Sequence, residues 1–388
     1  MLSIDGLATG GDGVAREPSG RVVFVPGALP GESVRVELVE EKTRFARGRL
    51  IEVHDAHARR SAEPCPHLAE GCGGCDFQHV STGLAAELKT TMVAETLARL
   101  GRLDDVEVGF GGAVPSWAYR TTVRTAVVDG RAGFRARRSH EVIPVPECMV
   151  VHPTIRRVLD EGRFPGAAAV TVRVGAATGE CLTTVEPAIA GATVPTGVLA
   201  ASTDPGLGDL AITEEVAGRS WRVSAPSFFQ SCPEAAELLV DTVGSLVGPG
   251  PHGRVVDLYA GVGLFAGTVG AAGTVVAVES APTAVADATV NLAGLDAEVV
   301  RCRVERWRPQ RADLVVADPA RRGLGRPGVG TIAATGAATV VLVSCDAASF
   351  ARDAGLLVEA GYDLGRAVVL DLFPQTTHVE TVGHFVLR

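Results

Sequence analysis

Hydrophobic and polar positions alternate in short runs through the first 60 residues. Residues 21–25, 33–39 and 48–53 each read as a strand, and the GG, PG and PGE turns between them predict a small barrel. A cysteine-rich link follows over residues 64–79. Leu84, Leu88, Met92, Thr96, Leu97 and Leu100 then recur at helical spacing, predicting an amphipathic helix over residues 84–100. Residues 117–185 alternate as strands again, in VRTAVVDG, RAGFRAR, AAAVTVRVG and ECLTTVEP. PEAAELLVDTVGSLV, from Pro233, reads as a helix with proline in its first turn. After Gly253 the rhythm changes. Apolar runs at 254–258, 274–278, 314–317, 339–343 and 367–370 are separated by helix-length segments, which predicts parallel strands in a doubly wound α/β domain. Three units are therefore expected: 1–60, 61–225 and 226–388, with the 84–100 helix free to pack on the last.

The chain has 388 residues, and its 36 Lys and Arg against 45 Asp and Glu give a net charge of −9. That balance excludes binding to nucleic acid by overall charge and leaves local patches as the only route. Only Lys42 and Lys89 are lysines. The arginine bias fits either a GC-rich genome or bidentate recognition of phosphate. Two long uncharged runs, 258–278 and 327–345, are broken by Gly, Ala and Thr and read as buried strand–turn–helix segments. No secretory signal is visible, so a soluble, cytoplasmic monomer away from membranes is expected. In such a chain clustered cysteines point to metal or catalysis.

VVDLYAGVGLF, residues 255–265, is an apolar strand ending in a glycine turn. Gly261 and Gly263 let the backbone approach a ligand, a helix is expected to start there, and Glu279 ends the next strand where an acid can hold ribose hydroxyls. Asp257, on the strand, suits a ligand with an ammonium and a sulfonium, which favours S-adenosylmethionine over a nicotinamide. Asp318 and Pro319 close a later strand at the edge where ligands of open α/β sheets bind. The plainer alternative is that both aspartates only cap turns. Cys65, Cys72 and Cys75 fall as C-x6-C-x2-C, with Cys148 the nearest fourth thiol. Four thiolates suit zinc or an iron–sulfur cube. The uneven spacing and remote fourth cysteine favour the cube. Cys181, Cys232 and Cys302 read as buried filler, and His67 and His79 as structural. Cys345 follows an apolar strand at the edge where Asp318 lies, and His378 and Glu380 are candidate bases. Arg120, Arg124, Arg131, Arg135, Arg137 and Arg138 could hold phosphates or form a solvated face.

With these motifs in order, the chain resembles the RNA (uracil-5-)-methyltransferases, in their iron–sulfur branch acting on 23S ribosomal RNA. PGALPGE, CPHLAEGCGGCDFQH with Cys148, SFFQSCPEAAELL, DLYAGVG, ADPARRG, VSCDAASFARD and DLFPQTTHVE carry the likeness. It implies a multi-domain fold: an N-terminal OB-like TRAM barrel that binds RNA, a central α+β domain with a 4Fe–4S cluster, and a C-terminal Rossmann-like methyltransferase domain. It implies Cys345 as nucleophile and Glu380 as base. Gln230, Tyr259, Glu279 and Asp318 would bind S-adenosylmethionine, with Asp257, Gly261 and Gly263 from the glycine-turn reading. Cys65, Cys72, Cys75 and Cys148 would hold the cluster. The chain departs from the family at SCNP, here Cys345-Asp346-Ala347 after Ser344. It departs also at DPPR, which is Asp318-Pro319-Ala320-Arg321, at FxQxN, which ends in Cys232, and in a longer first cysteine gap. The rivals are the same reaction on transfer RNA, amino methylation of a purine, and an RNA-binding or assembly factor with weak catalysis.

Overall fold

The computed structural model describes residues 1–203 and 209–388. Strands β1 (Leu2–Leu7), β2 (Gly13–Arg16), β3 (Val22–Val25), β4 (Ser33–Glu41) and β5 (Phe45–Asp55) close into a barrel in the order β1-β2-β3-β5-β4. Ile4, Ala15, Val23, Val25, Val34 and Ala46 fill it, one side of each strand turned inward. The expected strands lie within β3, β4 and β5. The pattern missed β1 and β2, which are short, carry glycine and are bulged between Ile4 and Gly6.

Helix α1 (Thr82–Thr96) follows the cysteine link and ends in a π-turn, Leu97–Gly101. It packs against β6 (Val108–Ala113) and elements of the carboxyl-terminal sheet. Leu84, Met92 and Leu97 are buried as their spacing predicts, whereas Leu100 is exposed. The central sheet is built from β7 (Thr122–Val128), β8 (Arg131–Arg135), β9 (Val142–Pro144), β10 (Ala169–Val174), β11 (Cys181–Glu186) and β12 (Leu199–Ser202), with α2 (Pro153–Glu161) packed on it. β13 (Ala211–Val216) and β14 (Arg219–Ser224) form a separate hairpin. Its two-residue turn, Ala217–Gly218, has both residues at positive φ, the geometry that matches strand twist.

The remaining elements are α3 (Pro233–Val247), β15 (Arg254–Leu258), β16 (Thr274–Glu279), α4 (Pro282–Asn291), β17 (Ala297–Arg301), β18 (Leu314–Ala317), α5 (Gly325–Thr335), β19 (Thr339–Ser344), α6 (Ala347–Glu359), β20 (Tyr362–Asp371) and β21 (Glu380–Leu387). They form an eight-stranded sheet in the order β17-β16-β15-β18-β19-β21-β20-β6. β15 to β19 are mutually parallel, and their order reverses between β15 and β18. That switch opens a crevice at the carboxyl ends of these two strands.

Two expectations are corrected here. No helix starts at Gly261: residues 261–272 are consecutive turns. Glycines at 261, 263, 267 and 270 disfavour a helix, and a side chain at Gly267 would strike Trp221. Residues 367–370 belong to β20, which pairs antiparallel with β21 and parallel only with β6. No helix among the described residues is long and apolar enough to cross a membrane.

Candidate active site

The crevice at the switch point gathers carboxylates. Asp257, on β15, is fully buried. Its Oδ2 accepts the Ala266 N–H at 2.8 Å, which pins the glycine turn, while its Oδ1 has no partner. Glu279, at the end of β16, accepts the Gly261 N–H at 3.0 Å. Asp318 follows β18, and Gln230, on the loop before α3, donates to its Oδ2 at 3.4 Å. Burial pushes the Asp257 carboxyl up to about 8, and the charges of Asp318 and Glu279 add to this. Asp318 is pushed up to about 7, again by burial, with the Gln230 hydrogen bond opposing. Tyr259 holds a left-handed backbone (φ 62°), and its hydroxyl donates to Glu305 at 3.2 Å. Gly261 and Gly263 also have positive φ, which explains the residue type at both places. Asp257 pins the glycine turn and keeps one bare oxygen, and Asp318 meets a side-chain amide from another segment.

Cys345 and Glu380 meet beside this crevice. β19 and β21 are antiparallel neighbours whose last pair is Ser344 with Thr381, and Cys345 and Glu380, just beyond that pair, are close enough for the Glu380 charge to act on the thiol. Glu380 is buried, and its proton affinity is well above that of an ordinary carboxylate. Burial is the main cause, Asp318 adds to it, and Arg321 opposes it. The half-buried Cys345 thiol is pushed up to about 11 by burial and then by Glu380 and Asp318, with Arg321 opposing. His378 lies at the margin, its Nε2 3.1 Å from an Arg321 guanidinium nitrogen. Asp346, in place of the family asparagine, caps α6: its Oδ1 accepts the Ser349 N–H at 2.7 Å.

The four candidate ligand thiols converge elsewhere. Cys65, Cys72, Cys75 and Cys148 line one small cavity of about 10 Å³, with Leu68, Phe134, Val145, Met149 and Val150. The Gly74 N–H points at Cys72 Sγ at 3.4 Å. Burial raises the thiol pKa of Cys72, Cys75 and Cys148, with a further rise from neighbouring cysteines. Among the described residues no three His, Cys, Asp or Glu side chains converge closely enough to hold a single metal ion. Cys181 and Cys232 are buried elsewhere, and Cys302 is half-buried.

Comparison with known proteins gives the family. The TRAM domain family matches residues 2–51, within the barrel. An uncharacterized RNA methyltransferase of Streptomyces coelicolor is 38% identical, over 98% of this chain and 91% of its own length. Another, from Corynebacterium efficiens, is 34% identical over 98% and 93%. The chain belongs to this RNA methyltransferase family. Its fold is shared by the Pyrococcus abyssi tRNA (uracil-54, C5)-methyltransferase bound to S-adenosyl-L-homocysteine. That match has a TM-score of 0.76 at 24% identity and covers 100% of this chain and 99% of the other. The enzyme is thus an RNA methyltransferase, as its motifs lead one to expect. In the arginine-rich stretch Arg124, Arg135, Arg137 and Arg138 are exposed, and five of the six arginines also make a contact within the chain. Arg120 meets Tyr119, Arg124 meets Glu186, Arg135 meets His140, Arg137 meets the Cys75 carbonyl and Arg138 meets Asp12. Sequence reasoning gave no role to Arg321, although it stands in ADPARRG three residues after Asp318 and is the positive charge acting on both Cys345 and Glu380.

Proposed function

We propose that this RNA methyltransferase methylates carbon 5 of a uridine in 23S ribosomal RNA. The donor is S-adenosylmethionine, and the route is a temporary bond between Cys345 and carbon 6. The observation that carries this is the pairing of Ser344 with Thr381, which sets a thiol close to a buried carboxyl beside a carboxylate-lined crevice. Amino methylation would need no such thiol. The crevice fits the donor: Asp257 offers a bare oxygen to a cation, and Asp318 and Glu279 add negative charge. Gln230, Asp257, Tyr259, Gly261, Gly263, Glu279 and Asp318 are the donor-binding residues in this reading. Bound S-adenosylmethionine supplies a methyl group on a sulfonium.

The residues of the chain do the rest. Carbon 5 of uracil is a poor nucleophile until a thiolate adds to carbon 6 and shifts the double-bond electrons toward carbon 5 and the neighbouring carbonyl. Glu380 in its neutral form removes one of the charges that hold Cys345 protonated, and the donor's positive charge offsets Asp318. Arg321 favours the thiolate directly. Carbon 5 then takes the methyl. The Cys345 and Glu380 protons pass to solvent water, Arg321 favouring both ionised forms; Glu380 then takes the carbon-5 proton, and the freed pair rebuilds the double bond and expels the thiolate. The target base must leave its stack to reach this edge.

Residues 1–60, 61–225 and 226–388 are proposed as the RNA-binding barrel, the central unit and the catalytic unit. In the central unit Cys65, Cys72, Cys75 and Cys148 would hold a 4Fe–4S cluster. Four thiols around one apolar cavity, with an N–H aimed at one sulfur, support this reading. The cluster would cross-link the cysteine loop to residue 148; no step of the transfer runs through it. The choice of ribosomal RNA rests on this barrel-plus-cluster organisation. Transfer RNA is the alternative, since the protein sharing the fold is named for it.

One experiment tests the reading. Protein purified without air, with iron and labile sulfide measured, is incubated with donor and RNA containing 5-fluorouridine. About four irons and a denaturation-stable protein–RNA adduct that disappears in Cys345→Ala are expected. A folded protein that methylates RNA but forms no adduct would overturn the covalent route, and stoichiometric zinc would overturn the cluster. Mapping methylated uridines in RNA from a strain lacking the protein separates ribosomal from transfer RNA.

A further inference from the structure

The turn that leads into Glu380, residues 372–378, is held by groups from several other segments of the chain. Asp76, directly after Cys75, grips it on both sides of its tightest point. The Asp76 and Phe77 N–H groups donate to the Gln375 carbonyl at 3.1 and 3.0 Å. The Asp76 carboxylate accepts the Thr377 N–H at 2.8 Å on Oδ1, and the Thr377 hydroxyl lies 3.2 Å from Oδ2. Gln375, between these contacts, has a left-handed backbone (φ 65°), which a non-glycine residue adopts only where its surroundings impose it. Other contacts fix the flanks. Tyr119 donates to the Pro374 carbonyl at 3.2 Å, Ser231 to the Leu372 carbonyl at 3.0 Å, and Lys89 to Asp371 at 2.6 Å.

We propose that Asp76 is a positioning residue. It transmits the order of the cysteine loop, through the 375–377 turn, to the Glu380 carboxyl, and so governs release of the product rather than binding of the donor. Asp76 touches neither crevice nor thiol; it acts through Thr377 and Gln375. Of the two acid–base events in the scheme, the later one is the more exposed to an error in Glu380. Addition of the thiol and transfer of the methyl depend on Cys345 and the donor crevice. Removal of the carbon-5 proton depends on where Glu380 stands, and a misplacement of about 1 Å can cost about 100-fold in rate. The cysteine loop thereby gains a role in the reaction without carrying electrons. This inference rests on the proposed roles of Cys345 and Glu380.

The test uses the full chain with natural RNA and donor. It compares Asp76→Ala, Asp76→Asn and Glu380→Gln, with iron content and donor affinity measured on each. Glu380→Gln should accumulate a methylated, denaturation-stable adduct; if it does not, the reading of the active site fails, whatever Asp76 does. Given that result, Asp76→Ala should keep its iron and its donor affinity, lose about 10- to 100-fold in kcat, and also accumulate adduct. Asp76→Asn, which keeps an acceptor for the Thr377 N–H and a polar group at its hydroxyl, should recover most of the turnover. Asp76→Ala that turns over normally, or that slows without accumulating adduct while Glu380→Gln does accumulate it, overturns the inference. So does a loss of donor affinity equal to the loss of turnover.

Discussion

Asp257 is a carboxyl with one oxygen engaged and the other bare inside a fully buried site. At neutral pH the free protein holds it largely protonated, because its pKa is raised to about 8. The consequence for stability has a definite sign. A folded pKa above the unfolded value favours folding fully below about pH 4, and that contribution is lost as pH rises through about 8. A cationic donor reverses the preference by favouring the ionised form. The donor's affinity should therefore climb from about pH 5.5 to about pH 7.5, approaching tenfold per unit where one carboxyl controls it, with proton release on binding. Asp257→Asn should weaken binding and flatten that climb. Calorimetry in two buffers of different ionisation heat measures both; an equally steep climb in the variant would move the effect to Asp318. Such residues are legible in a sequence because they stand beside glycine turns and strand ends, where ligand sites form. Arg321 and Asp76 are not legible in this way. Their effects pass through space to groups 24 and about 300 positions away in the chain, and no local pattern records that.

At the scale of the element, α6 shows what one substitution in a motif does. Asp346 stands where the family has asparagine. In the structure its Oδ1 is spent on the Ser349 N–H, at the N-terminus of a helix where negative charge is stabilised. Asp346→Asn should keep the cap and change stability by no more than a few tenths of a kcal/mol, whereas Asp346→Ala should cost about 1 kcal/mol. Denaturant unfolding with unchanged slope distinguishes the two. The parallel strands β15, β16, β18 and β19 are readable from sequence because each is a continuous apolar run buried on both faces. β6 (VGFGGA) and β17 (AEVVR) escape the pattern because sheet edges need less apolar sequence, and tertiary pairing outweighs their weak propensity. Residues 261–272 read as a helix from the strand–glycine rhythm. The glycines that allow a ligand to approach also disfavour the helix.

On the scale of the whole molecule, the barrel is docked onto the cysteine link, α1 and the turn before Glu380 rather than tethered beside them. Its Leu29 packs with Phe77, Val80, Leu84 and Ala85 of the cysteine link and α1. Asp12 pairs with Arg138 across the same boundary, and the Gly10 carbonyl lies 3.3 Å from the Thr377 hydroxyl. Gly11 sits against Thr377 so closely that a β-carbon there would come within 2.0 Å of its methyl group, at a backbone φ of 79° that disfavours any side chain. Deleting residues 1–60 would remove RNA contacts and the docking together, and would expose Phe77 and Val80, so it cannot separate the two. Gly11→Ala can. It leaves the barrel core intact but drives a methyl group into Thr377. The clash and the unfavourable φ together should cost about 1–3 kcal/mol. If the docked barrel helps to set the turn before Glu380, RNA and donor affinities should stay within about twofold while kcat falls about tenfold. Thr377→Ser, which keeps the hydroxyl for Asp76 and removes the methyl, should restore only part of the turnover, because the added carbon still lies 2.5 Å from the Thr377 β-carbon. Loss of RNA affinity with kcat unchanged would instead assign the barrel to RNA capture alone.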